Sequence, residues 1–362
     1  MKKVLVVGFT ENPGGIENVV MNYYRNFDRK EVQLDFLYST DSIAFEKEIN
    51  DMGGKTYHIC SKHSNMFKHK KELKEFFKEH ANEYSSIWVN FCNITNLDYF
   101  KLAKKYGINK RIIHAHNSQN MGSKLKGILH KINKLFIASY ATDYWSCSDD
   151  ASDWFYTKKI RDKVLVVKNS IDLDRFKYDS NTDKKYRKEL NTENKFVIGN
   201  VGRLHFQKNQ MFLLDVFNEI KKVEPNAELL LVGEGEDREK ITNKINELGL
   251  NDSVQMLGAR DDVPALMSSM DVFLFPSVFE GLGLVLVEAE AIGLPIVAAS
   301  DDIPHEVKMS SNFTFVSLND SLDKWRDEVL KFKNTKKEDN TKSLQENGYD
   351  IKLEVKKIQE LL

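Results

Sequence analysis

The stretch Val272–Pro295, VFLFPSVFEGLGLVLVEAEAIGLP, decides the fold of this 362-residue chain. Its first four residues, Val272–Phe275, are all apolar and indicate a strand buried on both faces of a parallel sheet. Gly281 and Gly283 then allow a tight turn close to a ligand, and a helix is predicted from about Leu284. A strand, a glycine turn and a helix in this order present free backbone N–H groups and the positive end of a helix dipole. The stretch therefore predicts an anion-binding site.

Two glutamates flank this turn. Glu280 precedes it and Glu288 follows inside the predicted helix, with seven residues between them. Because the surrounding residues are strongly apolar, a purely solvated role for both carboxylates is disfavoured. Carboxylates on either side of an anion site can accept hydrogen bonds from hydroxyl groups. A phosphate flanked by hydroxyls indicates a sugar nucleotide as the ligand.

Length and composition indicate a soluble enzyme with two domains. A chain of 362 residues exceeds the usual size of one hydrophobic core, and its 41% hydrophobic content argues against a mainly disordered protein. No apolar run approaches the ~20 residues needed to span a bilayer, and Lys2–Gly8 is predicted as a first strand rather than a signal peptide. Three widely spaced cysteines without a CxxC motif fit a reducing compartment. We expect a cytoplasmic protein, associated at most peripherally with the inner membrane face.

The two halves of the chain differ in charge. Residues 1–168 contain 27 Lys/Arg and 19 Asp/Glu, a net charge of +8, whereas residues 169–362 have a net charge of −9. The segment Tyr99–Thr142 contains nine Lys/Arg and no Asp or Glu. Nucleic acid is disfavoured as a partner because no nucleic-acid-binding motif accompanies this charge. An anionic membrane surface remains a candidate partner.

A basic amphipathic helix is predicted within this segment. Two interpretations are open for it: an ordinary domain helix with a solvated basic face, or a helix that contacts the membrane. Apolar residues recur at helical spacing at Met121, Leu125, Ile128, Leu129, Ile132, Leu135 and Phe136, with Lys124, Lys126, Lys131 and Lys134 between them.

Strands and helices alternate along both halves, which predicts an α/β protein with two doubly wound parallel sheets. The boundary is placed near residue 169, giving domains 1–168 and 169–345, and the last residues, 346–362, are predicted to be helical. Predicted strands are Lys3–Val7, Leu34–Leu37, Ile87–Val89, Arg111–His114 and Asp143–Ser146 in the first half, and Phe196–Val201, Glu228–Val232, Val254–Leu257, Val272–Phe275 and Ile296–Ala299 in the second.

Ligands of such sheets bind beyond the carboxyl ends of the strands, and the chain places its polar motifs there. After the strand ending at Val201, Arg203 and Lys208 can both turn toward one anion. The tight loop Gly233–Gly235 follows the next strand, and the backbone of Gly258–Arg260, after the third, could pair with a base edge. In the first half, two motifs follow strands in the same way: Pro13–Gly15 and His114–Asn117.

Together these motifs resemble the family-four retaining glycosyltransferases of the GT-B fold, and in particular bacterial enzymes that build capsular polysaccharide or exopolysaccharide. The resemblance covers nearly the whole chain. It implies two Rossmann-like domains facing a central cleft, an acceptor-binding first domain, a nucleotide-sugar-binding second domain, and a C-terminal helix, 346–362, that returns to the first. The motifs that carry it are GGIE at 14–17, KNSIDLDRF at 168–176, GRLHFQKN at 202–209, GEGE at 233–236 and the Glu280/Glu288 pair.

The resemblance also implies a role for each motif residue. Arg203 and Lys208 would neutralise the diphosphate of the donor, Glu280 would bind hydroxyls of the transferred sugar, and Glu288 would accept from the ribose. His116 would lie near the anomeric carbon. His114 could occupy the same position, but for this residue the interpretation as a core histidine is favoured. The implied donor-binding positions are Gly15, Gly202, Gly233, Arg260, Gly281, Leu282, Gly283, Leu284 and Glu288; the implied catalytic residues are Arg203, Lys208, Glu280 and His116; and the implied acceptor-binding residues are Gly14, His114 and Asn117.

These groups suggest how the reaction proceeds. Breaking the sugar–phosphate bond builds negative charge on the departing diphosphate, which preorganised cations and N–H groups stabilise. We therefore expect transfer without a metal or other cofactor. Asp172–Asp174 matches a DxD metal motif but is predicted to form a turn and helix cap instead. Retention of configuration, a UDP rather than GDP donor, and a lipid-linked glycan acceptor are implied by the resemblance.

Other functions can be considered for a two-domain α/β chain with these motifs. A nicotinamide-dependent dehydrogenase is disfavoured because neither Gly199–Gly202 nor Gly233–Gly235 continues into GxGxxG. Two alternatives remain open. One is a UDP-sugar epimerase of the same architecture, and the other is a non-catalytic protein that binds a nucleotide sugar within an assembly complex.

Overall fold

The computed structural model of the protein describes residues 1–120 and 123–362, so that Met121 of the predicted amphipathic helix lies outside the described residues. Two units are distinguished by their internal contacts. The first comprises Met1–Ile171 together with Gly348–Leu362, and the second comprises Asp172–Asn347. Each unit is built around one parallel sheet.

The first unit contains a sheet of seven described strands. They are β1 (Lys2–Val7), β2 (Val32–Tyr38), β3 (Thr56–His58), β4 (Ser86–Phe91), β5 (Lys110–Ala115), β6 (Asp143–Ser146) and β7 (Val164–Val166). All pair in parallel, in the order β3-β2-β1-β4-β5-β6-β7. The helices of this unit are α1 (Gly15–Asn26), α2 (Glu46–Asp51), α3 (Met66–His80), α4 (Asp98–Lys105), α5 (Lys124–Phe136), α6 (Asp149–Phe155) and α7 (Lys158–Arg161), followed at the C-terminus by the helix Ile351–Leu361.

The second unit contains a sheet of six described strands. They are β8 (Phe196–Val201), β9 (Ala227–Val232), β10 (Val254–Gly258), β11 (Val272–Phe275), β12 (Ile296–Ala299) and β13 (Phe313–Val316). These strands also pair in parallel, in the order β10-β9-β8-β11-β12-β13. The helices are α8 (Ser180–Glu189), α9 (Gln210–Val223), α10 (Arg238–Glu247), α11 (Val263–Ser268), α12 (Leu284–Ile292), α13 (Leu322–Leu330) and α14 (Thr341–Glu346). The predicted α/β class with two doubly wound sheets is confirmed.

Both sheets reverse their strand order at a corresponding point. In the first sheet the reversal lies between β1 and β4, and in the second it lies between β8 and β11. Loops that leave such neighbouring strands diverge to opposite faces and open a crevice at their carboxyl ends, where doubly wound proteins bind ligands. The fold thus defines one candidate ligand position in each unit.

The C-terminal helix, α15 (Ile351–Leu361), belongs to the first unit. Ile171 forms a parallel bridge with Asp350, in which the N–H of Ile171 donates to the carbonyl of Tyr349 at 2.9 Å and the N–H of Ile351 donates to that of Ile171 at 3.0 Å. The side-chain carbonyl of Gln359 accepts from the backbone N–H of Asp28 at 2.7 Å. Polar contacts therefore fix both ends of this helix to the unit that contains α1.

Buried apolar strands explain why the sheets form where they do. Every residue of β11 and β12 is buried, as expected for central strands of a parallel sheet covered on both faces. The edge strands β3 and β7 are short and only partly buried. Within the described parts of the chain, no helix combines the length and apolarity needed to cross a membrane.

Candidate functional site

An ion pair between Lys208 and Glu280 lies at the strand reversal of the second sheet. The Nζ of Lys208 is 2.7 Å from Oε1 of Glu280, and the two side chains are only 17% and 8% exposed. The ammonium also lies 4.8 Å from the ring centroid of Phe275, the last residue of β11. Burial lowers the screening of this pair by water, so its charges act strongly on any ligand that enters.

Hydrogen bonds connect the loop after β8 to the loop after β11. The N–H of Val278 donates to the carbonyl of Gln207 at 2.8 Å, and the side-chain amide of Gln207 donates to the carbonyl of Phe279 at 2.9 Å. The N–H of Glu280 donates to the carbonyl of Asp302 at 2.9 Å. Lys208 and Glu280 are therefore positioned by their backbones before a ligand arrives.

The glycine turn ends at the start of α12. Gly283 has φ +81°, a left-handed conformation that residues with a side chain rarely adopt. Gly281, Leu282 and Gly283 are buried, and no side chain among the described residues caps the helix at Gly283. The first N–H groups of a helix have no partner within it, so this end supplies donors and a positive dipole end beside Lys208.

Glu288 lies one turn further along α12. Burial raises the pKa of its carboxyl to about 7, and the nearby positive charges of Arg175 and Lys208 oppose the rise. Near neutral pH this carboxyl is thus divided between a form that only accepts hydrogen bonds and a form that can donate one.

Arg203 stands on the same loop as Lys208 but is far more exposed. Its guanidinium Nε is 3.0 Å from Oε2 of Glu236, and its side chain is 64% exposed. His205 approaches the other oxygen of the same carboxylate at 3.4 Å. Gly202, at the start of this loop, packs against the stem of Lys208. In this form the guanidinium is therefore paired with a protein carboxylate that an incoming anion would replace.

Arg260 is also engaged by a neighbouring carboxylate. Its guanidinium donates twice to Asp262, at 2.8 and 2.6 Å. The carbonyl of Gly258, one of the backbone groups expected to meet a base edge, accepts the N–H of Gly233 at 2.8 Å. That carbonyl holds the two loops together here, while the donor-binding roles of Arg260 and Gly233 stay predictions.

In the first unit, a buried glutamate fixes the glycine loop. One oxygen of Glu17 accepts from the N–H of Thr10 at 2.8 Å and from its hydroxyl at 2.9 Å, and the other accepts from the N–H of Gly14 at 3.0 Å. A side chain added at Gly15 would meet no atom within 4 Å. The loop is therefore held in shape while leaving open space beside Gly15, the first residue of α1.

The two histidines after β5 occupy different surroundings. His114 is fully buried, accepts a hydrogen bond at Nδ1 from the indole of Trp88 at 3.3 Å, and has its pKa lowered well below the usual range by burial. His116 is partly exposed, and its Nε2 lies 2.9 Å from Oδ1 of Asn90. Asn117 is buried and donates to the carbonyl of Gln119 at 3.0 Å. His114 thus fits the core interpretation, whereas His116 is open to a ligand.

Several residues of these surroundings were not predicted. Glu236, Asn90 and Arg175 pair with, or act electrostatically on, predicted site residues. The last residue of the GEGE motif could have identified Glu236, because this glutamate adds a carboxylate to a loop expected to face an anion. No sequence signal connects Asn90 to His116, since the contact joins two adjacent strands.

Metal binding has no obvious centre in the described parts of the chain. Residues 1–120 and 123–362 contain no group of three or more His, Cys, Asp or Glu side chains placed to hold an ion. An oxygen of Asp172 accepts the N–H of Asp174 at 3.1 Å, the turn geometry that was predicted for this DxD match.

Comparison with known proteins identifies relatives over the whole length. The family profile described as Glycosyl transferases group 1 matches residues 181–350. A protein of Bacillus subtilis (strain 168) that carries the name glycosyltransferase EpsF is 31% identical over 98% of this chain and 94% of its own length. CapH of Staphylococcus aureus, a capsular polysaccharide biosynthesis glycosyltransferase, is 25% identical over 100% of this chain and 98% of its own length.

A third relative matches part of the chain, and a solved structure matches all of it. The UDP-Gal:α-D-GlcNAc-diphosphoundecaprenol α-1,3-galactosyltransferase of Escherichia coli is 29% identical over 55% of this chain and 54% of its own length. The crystal structure of Anabaena HepE in complex with UDP superimposes with a TM-score of 0.82 at 19% identity, covering 100% of this chain and 99% of that one. At this identity the likeness shows a shared fold.

Proposed function

The chain belongs to the group 1 glycosyltransferases, and on that basis we propose that it transfers a sugar from a UDP-sugar to a lipid-linked glycan during assembly of a cell-surface polysaccharide. Its membership and its GT-B architecture, both predicted from sequence, are confirmed by the relation to EpsF and the likeness to HepE. The observation that carries the proposal is the buried Lys208–Glu280 pair at the start of α12.

The two residues of this pair would contact different parts of the donor. The Lys208 ammonium and the first N–H groups of α12 face the diphosphate, and the Glu280 carboxylate accepts from hydroxyls of the transferred sugar. As the bond between the anomeric carbon and the phosphate oxygen breaks, its electrons pass to the departing UDP. Positive groups that are already oriented stabilise that charge without reorganisation, so the proposed transfer needs no metal. Retention of the anomeric configuration is proposed from the family resemblance alone.

Three relatives support the choice of donor, acceptor and pathway class. CapH is named for capsular polysaccharide biosynthesis, and the Escherichia coli enzyme is named for a UDP-sugar and a diphosphoundecaprenol-linked acceptor. HepE was crystallised with UDP. We extend these properties to this chain as a proposal.

A transfer assay tests it directly. The purified protein is incubated with UDP-glucose, UDP-galactose, UDP-GlcNAc or GDP-mannose and a polyprenyl-diphosphate-linked saccharide, in excess EDTA. We expect elongation of the acceptor with a UDP-sugar only, and NMR of the product should show the anomeric configuration of the donor. Inversion, use of GDP-mannose alone, or loss of activity that Mg²⁺ restores would contradict the corresponding part of the proposal.

Two controls address the alternatives. In NMR of donor with enzyme and no acceptor, conversion of one UDP-sugar into another would identify an epimerase. Binding of UDP in a thermal-shift assay, without transfer or slow hydrolysis of any donor, would identify a non-catalytic binding protein.

Helix α5 supports a second element of the proposal, contact with an anionic membrane. Its polar side holds it to the protein: His130 is buried, the Asn133 amide donates to the carbonyl of Ile94 at 2.9 Å, and the Lys134 ammonium donates to the carbonyl of Trp154 at 2.8 Å. Five large apolar side chains of the same helix are exposed by 49–66%, namely Leu125, Ile128, Ile132, Leu135 and Phe136.

The helical period separates these two sides. At 3.6 residues per turn the five exposed apolar residues share one face, and His130, Asn133 and Lys134 lie on the other. An ordinary surface helix has the opposite arrangement, with its apolar face packed on the core. The exposed apolar face therefore supports the second of the two interpretations left open by the sequence, a helix that contacts the membrane.

Exposed lysines beside this apolar face favour contact with an anionic membrane surface. Lys124, Lys126 and Lys131 are exposed, and the helix contains no acidic residue. Each lysine near an anionic leaflet contributes about 1 kcal/mol, and the apolar side chains can enter the headgroup boundary. We propose that α5 brings the enzyme to the membrane in which a lipid-linked acceptor resides.

Vesicle flotation tests this contact. We expect binding to vesicles of phosphatidylcholine mixed with phosphatidylglycerol, weaker binding to phosphatidylcholine alone, and loss of binding in Ile128→Glu. Leu353→Glu is the matched control, because Leu353 on α15 is 58% exposed against 55% for Ile128. Equal binding to both vesicles, or equal loss in both variants, would contradict the proposal.

A further inference from the structure

Asn90 joins three elements at the strand reversal of the first sheet. This residue of β4 is 1% exposed, and its side-chain Oδ1 lies 2.9 Å from Nε2 of His116. Its Nδ2 lies 3.4 Å from the carbonyl of Val7 at the end of β1 and 3.4 Å from the carbonyl of Trp88. One buried amide thus connects the ends of β1 and β4 to the residue that follows β5.

These contacts determine which end of the amide faces the histidine. Two carbonyl oxygens surround Nδ2, and a carbonyl oxygen can only accept a hydrogen bond. The amide group of Asn90 is thereby oriented with its nitrogen toward Val7 and Trp88. Its oxygen then faces His116 and accepts a hydrogen bond from the ring N–H.

The histidine proton follows from this orientation. Since Oδ1 accepts, Nε2 of His116 carries the hydrogen, and in a neutral ring Nδ1 is then an acceptor. Burial lowers the pKa of His116 to about 3, so the ring is neutral at physiological pH. In residues 1–120 and 123–362, no group hydrogen-bonds to Nδ1.

Close packing at Gly8 shows that this arrangement is built into the fold. A side-chain carbon at Gly8 would lie 2.2 Å from the carbonyl oxygen of Asn90 and 3.1 Å from its Cβ. Gly8 also has φ +119°, a conformation that favours glycine. The chain leaving β1 can therefore pass Asn90 closely only because residue 8 has no side chain.

We propose that Asn90 is a positioning residue for glycosyl transfer: it fixes His116 as the neutral tautomer protonated on Nε2 and so keeps Nδ1 as a hydrogen-bond acceptor for a hydroxyl of the reacting sugars. The identity of that hydroxyl as a sugar group rests on the proposed function. The tautomer itself rests only on contacts within the first unit. A histidine in the other tautomer would present a donor at Nδ1, so that a hydroxyl could only accept from the ring and could no longer donate its proton to it.

NMR measures the tautomer without any substrate. In protein labelled with ¹⁵N-histidine, long-range ¹H–¹⁵N correlations distinguish Nε2–H from Nδ1–H rings, and the missing signals of His116→Asn assign the residue. We expect one tautomer, Nε2–H, unchanged between pH 8 and pH 5. In Asn90→Leu the ratio of Nε2–H to Nδ1–H should fall about fivefold, the ratio that an ordinary hydrogen bond sustains.

A matched variant separates positioning from general damage. Asn200 of β8 is also 1% exposed and its amide donates to the carbonyl of Leu274 at 2.8 Å, but in the described parts of the chain no histidine hydrogen-bonds to it. Asn200→Leu removes a similar buried amide and should leave the His116 signals as in the wild type. An Nδ1–H ring in the wild type, titration near pH 6.5, or the same spectrum in Asn90→Leu would overturn the inference.

Transfer kinetics complete the test. With the donor and acceptor that the wild type uses, Asn90→Leu should lower kcat about fivefold, in step with the change in tautomer. An altered tautomer with unchanged kcat would overturn the positioning role. If the wild type transfers no sugar at all, the proposed function fails while the NMR result for Asn90 still stands.

Discussion

The two strand reversals share a topology and differ in chemistry. Between β8 and β11 the residues are charged, with Lys208 paired to Glu280. Between β1 and β4 the facing side chains are uncharged, with Asn90 oriented against His116, and the buried Glu17 carboxylate is occupied by Thr10 and Gly14 of the loop after β1. A charged crevice suits a diphosphate, whereas a neutral one with fixed donors and acceptors suits hydroxyl groups. In each unit the fold thus places a candidate site at the strand reversal, and the residues at the strand ends determine which kind of ligand would fit it.

Of the substitutions considered at the two strand reversals, removal of the Lys208 charge should lower activity most. We expect Lys208→Gln to lower kcat by ~10²–10³, the usual loss when one group that stabilises a developing anion is removed. The enzyme would then lack the positive charge that is paired with Glu280 in the loop before α12. Steady-state transfer with saturating donor measures the loss.

Lys195→Gln is the control for Lys208→Gln. Lys195 also pairs with a buried glutamate, Glu228, at 2.8 Å. Because Lys195 precedes β8, it lies at the amino ends of the strands, whereas Lys208 lies beyond their carboxyl ends. Comparable melting temperatures for the two variants, with full activity only in Lys195→Gln, would assign the effect to the site. Equal activity losses would show that the Lys208 pair serves stability alone.

Arg203 should contribute less, because it is exposed and paired with Glu236 before the donor binds. A hydrogen bond to a charged group is worth ~1.5–3 kcal/mol, so Arg203→Ala should lower kcat/KM roughly ten- to hundredfold. Added salt should weaken donor binding less in this variant than in the wild type.

An ion pair at the start of α10 supplies the control. Arg238 lies 2.6 Å from Glu234, and both side chains are about half exposed. Arg238→Ala removes an equivalent surface ion pair, which contributes little to stability, and should leave kcat/KM and its salt dependence unchanged. A similar loss in both variants would mean that the general charge of the loop, rather than Arg203, attracts the donor.

Much of this comparison could be predicted from the sequence, because buried parallel strands are continuous apolar runs. The run Val272–Phe275 identified β11, and the glycines after it located the start of α12. Arg203, Lys208 and Glu280 are predicted site residues because each lies in a loop that follows a strand. The short edge strands β3, β7 and β13 were missed, since partly buried segments of three or four residues have no distinctive pattern.

Contacts across the sheet and the direction of a helix face could not be predicted in this way. Asn90 and His116 are 26 residues apart and meet only because β4 and β5 pair side by side. The spacing in Lys124–Phe136 showed that α5 has two faces, but periodicity does not say which face meets the protein. Glu236 likewise became visible as the partner of Arg203 only once the two loops were placed together.

Gly15→Ala probes the neutral crevice of the first unit. The added methyl group meets no protein atom within 4 Å, and replacing glycine by alanine in a compatible conformation stabilises a protein by about 0.4–1 kcal/mol. We expect an unchanged or higher melting temperature together with a roughly tenfold lower kcat/KM, equivalent to ~1.4 kcal/mol, because the methyl group occupies space that a ligand needs. Full activity would show that no ligand approaches Gly15.

The smallest expected effect is a pH dependence at Glu288. With a pKa raised to about 7, the ionised fraction of its carboxyl falls about threefold from pH 7.5 to pH 6.5. If the ribose hydroxyls donate to the carboxylate, the affinity for UDP-glucose should fall by the same factor. Calorimetric titration should use UDP-glucose, since the terminal phosphate of UDP itself titrates near pH 6, at about the pKa of a phosphate monoester.

Glu288→Gln isolates this carboxyl, because the side chain keeps its size and cannot ionise. Its affinity for UDP-glucose should be lower at pH 7.5 and should lose the threefold pH dependence. The stability of the ligand-free protein should show the opposite sign. A carboxyl whose pKa is higher folded than unfolded stabilises the fold most below its unfolded pKa and loses that contribution as the pH rises through about 7. Relative to Glu288→Gln, the wild type should therefore become less stable from pH 6 to pH 8, while over the same range it binds the donor more tightly. Opposite trends of this kind are expected of a carboxyl that serves its ligand rather than the fold. Parallel pH profiles of the two proteins would assign the titration to another group.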